Sequence, residues 1–187
     1  MMVLINSVVA LAILAVILSA IYLFILVRPP KKTKPNPALL CDYAHRGLHN
    51  GKDAPENSLA AFEAACRAGY GIELDVQLSS DGKVMVFHDG TLVRMTGCDR
   101  KLCELTAEEL SALTLGDSDQ TIPTFEDVLA LVDGRVPLLV ELKGSSLDTS
   151  LCPKVAELLQ NYKGLYCIES FTCWAIPNST RNVWRIT

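Results

Sequence analysis

The pattern of apolar and polar positions separates an apolar amino-terminal run from a longer part in which strand-like and helix-like stretches alternate. Residues 3–27 form a nearly continuous apolar run without a charged side chain, which is long enough to cross a bilayer as a helix. A cleaved signal peptide is the alternative, but such peptides begin with basic residues, and none precedes this run. The pattern therefore favours one uncleaved transmembrane helix.

A short basic stretch, residues 28–38, follows the apolar run and is predicted to be an extended linker. Its four basic residues, Arg28, Lys31, Lys32 and Lys34, are interleaved with prolines, a composition that keeps a chain stiff and extended. Lys and Arg accumulate on the cytoplasmic flank of membrane spans. We therefore expect a single-pass membrane protein whose downstream domain lies on the cytoplasmic side.

From residue 39 to residue 171, strand-like and helix-like stretches alternate. Apolar stretches typical of parallel strands are centred near residues 42, 72, 139 and 167. Helices between them begin with good capping residues, at Asn57 or Ser58 and at Thr124. This alternation predicts right-handed β–α–β units and hence an α/β fold with a parallel sheet.

Three stretches depart from this alternation. Residues 79–82 predict a turn, and residues 83–87 a short returning strand. Residues 91–120 are irregular apart from one expected helix, which begins with a capping box at Thr106. An excursion of this length between strands typically covers a site. Residues 172–187 show no clear period and form a divergent C-terminal tail.

Composition adds two restrictions. The formal net charge is −4, so no basic field predicts a nucleic-acid partner, and an anionic substrate requires a local cationic pocket. The seven cysteines include no CxxC pair, which argues against a zinc ribbon or a dithiol redox site. Scattered thiols are more typical of a reducing compartment, although a disulfide between Cys98 and Cys103 stays open.

The most informative chemical feature is a pair of acids inside a strand-like stretch, residues 70–77. Successive side chains of a strand point to opposite faces. Glu73 and Asp75 therefore share one face, and the apolar residues that alternate with them occupy the other. Two buried carboxylates side by side are costly unless a cation lies between them, and a hard divalent metal ion suits them. The alternative is the solvent-exposed face of an edge strand.

Further polar residues are expected at the same edge of the sheet, where the carboxyl ends of the strands meet. Each of them alone could be an ordinary surface or turn residue, but their common position predicts one site. Glu141 adds a third carboxylate for a cation. Arg46 and Lys143 suit a phosphate, and His45 and His88 suit an acid–base pair.

The motifs that hold these residues resemble the glycerophosphodiester phosphodiesterase family in order and spacing. They are Ala-His-Arg-Gly at 44–47, Pro-Glu-Asn-Ser at 55–58, Glu-Leu-Asp-Val at 73–76, Ser-Asp-Gly-Lys-Val at 80–84, Phe-His-Asp at 87–89, Ile-Pro-Thr-Phe-Glu at 122–126 and Val-Glu-Leu-Lys at 140–143. The resemblance implies a TIM-barrel, or (β/α)8-type, phosphodiesterase fold. It also implies hydrolysis of glycerophosphodiesters to glycerol 3-phosphate and an alcohol, with Ca²⁺ or Mg²⁺ as cofactor.

By the same resemblance, each candidate residue takes a role in a domain that covers residues 39–171. The implied roles are metal ligand for Glu73, Asp75 and Glu141, catalytic acid or base for His45 and His88, and phosphate binding for Arg46 and Lys143. The implied activity is that of a phosphoric diester hydrolase in lipid metabolism.

A family barrel has eight parallel strands, whereas only about four are predicted in residues 39–171. We therefore expect only about the first half of the barrel, truncated before the divergent residues 172–187. Two alternatives stay open. The membrane anchor suits a lysophospholipase D that acts on membrane lysophospholipids. The unpaired strand edges of a half-barrel suit an inactive fragment that binds a partner or a lipid surface.

Overall fold

The computed structural model describes residues 12–22, 36–144 and 150–170, which belong to two compact units, Met1–Lys34 and Pro35–Thr187. In the first unit, residues 12–22 are helical. No helix within the described residues is both long and apolar enough to cross a membrane. The remainder of the predicted span, most of the linker and the tail at 172–187 lie outside the described residues.

The second unit contains the alternating elements that the sequence predicts. Its strands are β1 (Tyr43–Ala44), β2 (Gly71–Leu78), β3 (Val84–Val86), β4 (Leu138–Leu142) and β5 (Tyr166–Glu169). Its α-helices are α1 (Leu59–Ala68), α2 (Val93–Thr96), α3 (Ala107–Ser111), α4 (Phe125–Val132) and α5 (Leu151–Gln160). Two 3-10 turns lie at Pro37–Leu39 and Leu102–Glu104.

The described strands form one sheet in the order β1-β2-β4-β5, in which all neighbours are parallel. The short strand β3 pairs antiparallel with the end of β2. The predicted α/β fold with a parallel sheet is confirmed. The register places Asp75 beside Glu141, and Glu141 beside Glu169, so acidic residues meet at the carboxyl edge of three adjacent strands.

Helices α1, α3 and α4 begin at side-chain caps that the sequence predicts. The Ser58 side chain accepts a hydrogen bond from the Ala61 N–H at the start of α1, and Gly69 ends that helix at φ 76°. Thr106 and Thr124 cap α3 and α4, each within a capping box. Because each cap involves only residues close in sequence, these caps can be predicted without knowledge of the fold.

The main core lies between the sheet and helices α1, α4 and α5. The β2 side chains in this core are on the face opposite to Glu73 and Asp75, and they are fully buried. The largest contributions come from Phe62, Ile72, Leu74, Val76, Phe125, Leu138, Val140 and Val155. This packing fixes the direction of every side chain on β2, since a strand that buries one face must turn the other toward the site.

The excursion between β3 and α4 is more ordered than predicted. The expectation of one short helix in residues 91–120 was wrong, because α2 and a 3-10 turn precede α3. A four-residue helix that ends at Gly97, with φ 73°, is too short to produce a recognisable hydrophobic period. The excursion has a small core of its own, formed by Met85, Phe87, Leu92, Leu102, Leu105, Leu110, Leu115 and Ile122.

Cys98 and Cys103 are free thiols. The alternative of a disulfide between these two residues is therefore wrong. Cys167 is buried, and Cys66 packs at the edge of the main core, as small apolar residues do.

Replacing Gly47 with Ala is expected to lower the free energy of unfolding by about 2–4 kcal/mol. Gly47 has φ 82°, and a Cβ there would lie 2.8 Å from the Ala61 Cβ. Gly51, with φ 73°, has open space around a Cβ, so Gly51→Ala is the matched control and carries only the backbone strain. Urea unfolding of both variants measures the difference. Equal losses would show that the contact with α1 does not matter.

Candidate active site

Three buried carboxylates meet at the carboxyl edge of the sheet. Glu73 and Asp75 lie on β2 and Glu141 on β4, and their exposed fractions are 7%, 0% and 7%. One oxygen from each lies within 4.8 Å of the other two. The alternative of a solvent-exposed edge strand is therefore wrong, since β2 is paired on both sides and its acids face the interior.

Two cationic side chains approach this carboxylate cluster, as the sequence predicts. Lys143 Nζ lies 3.1 Å from Asp75 Oδ1 and 2.7 Å from Glu141 Oε1. Arg46 Nε lies 3.7 Å from Asp75 Oδ2, and the Arg46 backbone N–H donates to Glu73 Oε2 at 2.8 Å. The site thus holds both the acids suited to a metal ion and the cations suited to a phosphate.

Asn57 and Glu56 belong to the site although sequence reasoning gave them only a capping role or none. Asn57 is buried with φ 56°, and its Nδ2 donates to Asp75 Oδ2 at 2.9 Å. Glu56 Oε1 accepts from Arg46 Nη1 at 2.9 Å. An Asn-type residue tolerates the left-handed backbone conformation, which brings this turn over the end of β2.

Burial and the closeness of the carboxylates to one another shift the pKa values of this cluster. Burial raises the pKa of Glu73 to about 7, and the neighbouring Asp75 adds to the rise. Burial, together with Glu141, also raises the pKa of Glu169 at the end of β5. For Lys143, burial opposes the charged form, but Glu141 and Asp75 raise its pKa overall. Acids so placed are costly to ionise together without a cation.

The three carboxylates fit a single hard cation. Oxygen ligands of Ca²⁺ lie about 2.3–2.6 Å from the ion, so two ligands of one ion are at most about 5 Å apart, and the observed spread of 4.8 Å satisfies this limit. Asp75 Oδ1 accepts no well-formed hydrogen bond within the described residues, despite the nearby ammonium of Lys143.

His88 follows β3 and is held at the edge of the site by backbone contacts. The Phe87 N–H donates to the Asp75 carbonyl at 2.9 Å. Gln77 Nε2, on the same face of β2, donates to the carbonyls of Phe87, His88 and Asp89. Gln77 was missed by sequence reasoning, because a polar residue near a strand end is ordinarily solvated.

The His88 ring is oriented by the carboxylate that follows it in sequence. His88 Nδ1 lies 2.7 Å from Asp89 Oδ1. A hydrogen bond from Arg94 lowers the pKa of Asp89 to about 2, although burial partly opposes the change. An ionised carboxylate can only accept, so His88 Nδ1 must carry the shared proton, and Nε2 of the neutral ring is left as an acceptor.

His45 lies beside the carboxylates and is open to solvent. Its Nε2 is 3.9 Å from Glu73 Oε2, and 71% of its side chain is exposed. The structure thus brings His45, Arg46 and Lys143 into contact with the carboxylate cluster, whereas the described side-chain contact of His88 is with Asp89. The two imidazoles follow different strands, His45 after β1 and His88 after β3.

The sequence model of the glycerophosphoryl diester phosphodiesterase family matches residues 45–163. The chain belongs to this family. The matched range includes the seven residues that the sequence analysis singled out, and it ends after α5. The three carboxylates that could hold a metal ion lie within this range.

Individual relatives of the family support this assignment. The glycerophosphodiester phosphodiesterase of Caldanaerobacter subterraneus is 36% identical over 128 residues, which cover 64% of this chain and 52% of the relative. That of Bacillus altitudinis is 41% identical over 115 residues, which cover 55% of this chain and 45% of the relative. The chain therefore spans about half the length of the curated relatives it matches.

Solved structures show the same partial coverage. An Oleispira antarctica phosphodiesterase in complex with the product sn-glycerol-3-phosphate is similar with TM-score 0.66 and 31% identity, over 72% of this chain and 59% of that one. Glycerophosphodiester phosphodiesterase from Thermotoga maritima is similar with TM-score 0.65 and 32% identity, over 78% of this chain and 60% of that one. The α/β fold with its parallel sheet matches these TIM-barrel enzymes.

Cation binding is expected to weaken as the pH is lowered from about 8 to about 5.5. Glu73, whose pKa is raised to about 7, must lose its proton before it can serve as a ligand. Below about pH 7, the apparent affinity for Ca²⁺ should therefore fall by up to tenfold per pH unit. Calorimetric titration at several pH values measures this, and an affinity independent of pH would contradict it.

The stability of the cation-free chain should depend on pH in the same region. The raised pKa means that the folded state holds the Glu73 proton more tightly than the unfolded state, whose ordinary value is 4.5. The contribution of Glu73 to the free energy of unfolding should therefore decrease as the pH rises from about 4.5 to about 7. A saturating divalent cation should remove this decrease.

Proposed function

We propose that the chain hydrolyses glycerophosphodiesters to glycerol 3-phosphate and an alcohol, with one divalent cation, Ca²⁺ or Mg²⁺, held by Glu73, Asp75 and Glu141. The observation that carries the proposal is the meeting of three buried carboxylates and two phosphate-binding cations at one sheet edge. Membership of the family supports the reaction class. The chain covers only about half the length of its relatives, so the activity of the whole enzyme is a proposal for this chain.

Arg46 and Lys143 would bind the substrate phosphate. Arg46 is oriented by its hydrogen bond to Glu56, and Lys143 by its ion pairs with Asp75 and Glu141. When bound, the cation would neutralise charge on the phosphoryl oxygens. The two side chains would offset the charge that grows on the same oxygens as the reaction proceeds.

His88 and His45 would move the protons. The bare Nε2 of His88 is suited to accept the proton of a glycerol hydroxyl as that oxygen forms a bond to phosphorus. His45, which is exposed to solvent, would donate a proton to the leaving alcohol as its bond to phosphorus breaks. Water would then attack phosphorus of the cyclic diester. His45 would take a proton from this water, and His88 would return a proton to the glycerol oxygen whose bond to phosphorus breaks, which yields glycerol 3-phosphate.

Phosphorus NMR with glycerophosphocholine as substrate tests this proposal, because the products reveal which ester bond breaks. The expected products are glycerol 3-phosphate and choline, formed only with Ca²⁺ or Mg²⁺ present. Phosphocholine and glycerol as products would contradict the assignment. A chain that melts cooperatively yet forms no product would favour the alternative of a non-catalytic binding protein.

A second candidate function, a lysophospholipase D, is favoured by the apolar run at residues 3–27 and the basic stretch after it. These features support the proposal of a single-pass membrane protein with the catalytic domain on the cytoplasmic side. Lysophosphatidylcholine in vesicles and soluble glycerophosphocholine should be compared for the full chain and for a chain without residues 3–27. If the chain without residues 3–27 loses activity on lysophosphatidylcholine but keeps its activity on glycerophosphocholine, this function is supported. If the two chains are equally active on lysophosphatidylcholine, it is refuted.

A further inference from the structure

Arg94 lies in α2, at the start of the excursion that covers residues 91–120, and it contacts two acids from distant parts of the chain. Its Nε donates to Asp89 Oδ2 at 2.6 Å. Its Nη2 donates to Glu56 Oε1 at 2.5 Å, and its Nη1 to Glu56 Oε2 at 3.1 Å. One planar guanidinium thus bridges both carboxylates, and its paired hydrogen bonds to Glu56 need a fork of donors that an ammonium lacks.

Each of these two acids is in direct contact with a residue of the candidate site. Asp89 Oδ1 accepts a hydrogen bond from His88 Nδ1 at 2.7 Å. Glu56 Oε1 accepts from Arg46 Nη1 at 2.9 Å. A continuous chain of charge-assisted contacts therefore runs from the proposed base, through Arg94, to the proposed phosphate-binding arginine.

The charges in this network are mutually stabilised. Burial opposes the ionised form of Glu56, but hydrogen bonds from Arg94 and Arg46 lower its pKa overall. Hydrogen bonds to Glu56 and Asp89 raise the pKa of Arg94 further. The side chain of Glu56 is 16% exposed and that of Asp89 22% exposed, so solvent screens these contacts less than it screens a surface ion pair.

We propose that Arg94 is a positioning residue, which aligns the His88 ring and the Arg46 guanidinium with each other through Asp89 and Glu56. The proposal rests on the proposed function, since it assigns the residue a part in that reaction. It also assigns a role to the excursion, because this segment supplies Arg94, which joins Asp89 to Glu56.

The chain contains a matched control at the opposite edge of the sheet. There Glu63 also lies between two arginines, with Arg135 Nη2 at 2.6 Å and Arg67 Nε at 2.9 Å. Arg135 precedes β4 and is therefore at the amino edge, away from the carboxylate cluster. Arg135→Gln breaks a contact of the same chemistry as Arg94→Gln without touching the site.

The experiment combines a spectroscopic signature with kinetics. Long-range ¹H–¹⁵N spectra of the full chain report the tautomer of each imidazole, and the chain has only three histidines. In the unmodified chain, His88 should carry its proton on Nδ1, and Arg94→Gln should give a mixture of tautomers. Turnover of glycerophosphocholine by Arg94→Gln should fall about 10- to 100-fold in kcat, with a several-fold rise in KM. Arg135→Gln should change neither measurement.

Arg94→Lys keeps the positive charge but lacks the planar set of N–H donors. This variant can be measured if Arg94→Gln does not fold. It should restore only part of kcat and only part of the His88 tautomer preference. A His88 tautomer that is mixed in the unmodified chain, or unchanged in both Arg94 variants, would overturn the inference. A different outcome is that the unmodified chain shows no turnover, while its His88 has a single tautomer that becomes mixed in Arg94→Gln. That outcome would overturn the proposed function and leave the positioning role standing.

Discussion

Asp75→Asn is expected to abolish cation binding and to lower turnover of glycerophosphocholine by about a thousandfold. Asp75 is fully buried and contacts three other members of the site. It faces Arg46 at 3.7 Å, Lys143 at 3.1 Å and Asn57 at 2.9 Å. Asn has nearly the same shape but no charge, so the cluster loses one anionic ligand and leaves two cations less well paired.

Calorimetric titration with Ca²⁺ and a turnover assay measure the two effects of Asp75→Asn separately. Asp117→Asn is the matched control, since Asp117 is exposed in the loop that follows Leu115, and it should behave as the unmodified chain. If Asp75→Asn bound the cation with unchanged affinity, the assignment of this residue as a ligand would be wrong. Retained turnover without cation binding would remove the cation from the reaction.

His88→Ala is expected to lower kcat by about 100- to 10,000-fold while cation affinity stays unchanged. The hydrogen bond to Asp89 leaves Nε2 of the ring as an acceptor, and no ligand of the carboxylate cluster is altered by the substitution. Added imidazole should restore part of the activity of this variant, because a diffusible base can replace the missing ring.

His49→Ala is the control for that prediction, because His49 is an exposed histidine in the loop after β1. Its replacement should leave kcat within about twofold of the unmodified chain. Equal losses for His88→Ala and His49→Ala would show that His88 has no special part in proton transfer. A loss of cation affinity in His88→Ala would indicate that the ring orders the metal site instead.

The carboxylate cluster could be predicted from sequence because it depends on two simple periodicities. Alternation along β2 places Glu73 and Asp75 on one face, and parallel pairing brings Glu141 beside Asp75. The caps at Ser58 and Thr124 depend only on neighbouring residues. Such features need no knowledge of tertiary contacts, which is why the parallel sheet and three of its acids were placed correctly.

The supporting network could not be predicted in the same way. Glu56 meets Arg94 across 38 positions, and Asn57 meets Asp75 across 18 positions, and no hydrophobic period connects these residues. Gln77 acts through backbone carbonyls of a segment whose path is set by the second small core. Contacts of this kind arise only after the excursion has folded, so they become visible only in three dimensions.

The central claim is that one divalent cation on three carboxylates is required for hydrolysis. Release of glycerol 3-phosphate from glycerophosphocholine should be followed after removal of metal by EDTA and during stepwise return of Ca²⁺ or Mg²⁺. We predict no release after chelation and full recovery as one cation per chain is bound. Release of glycerol 3-phosphate that is undiminished after chelation would contradict the account. So would full recovery of release by the added cation in Asp75→Asn.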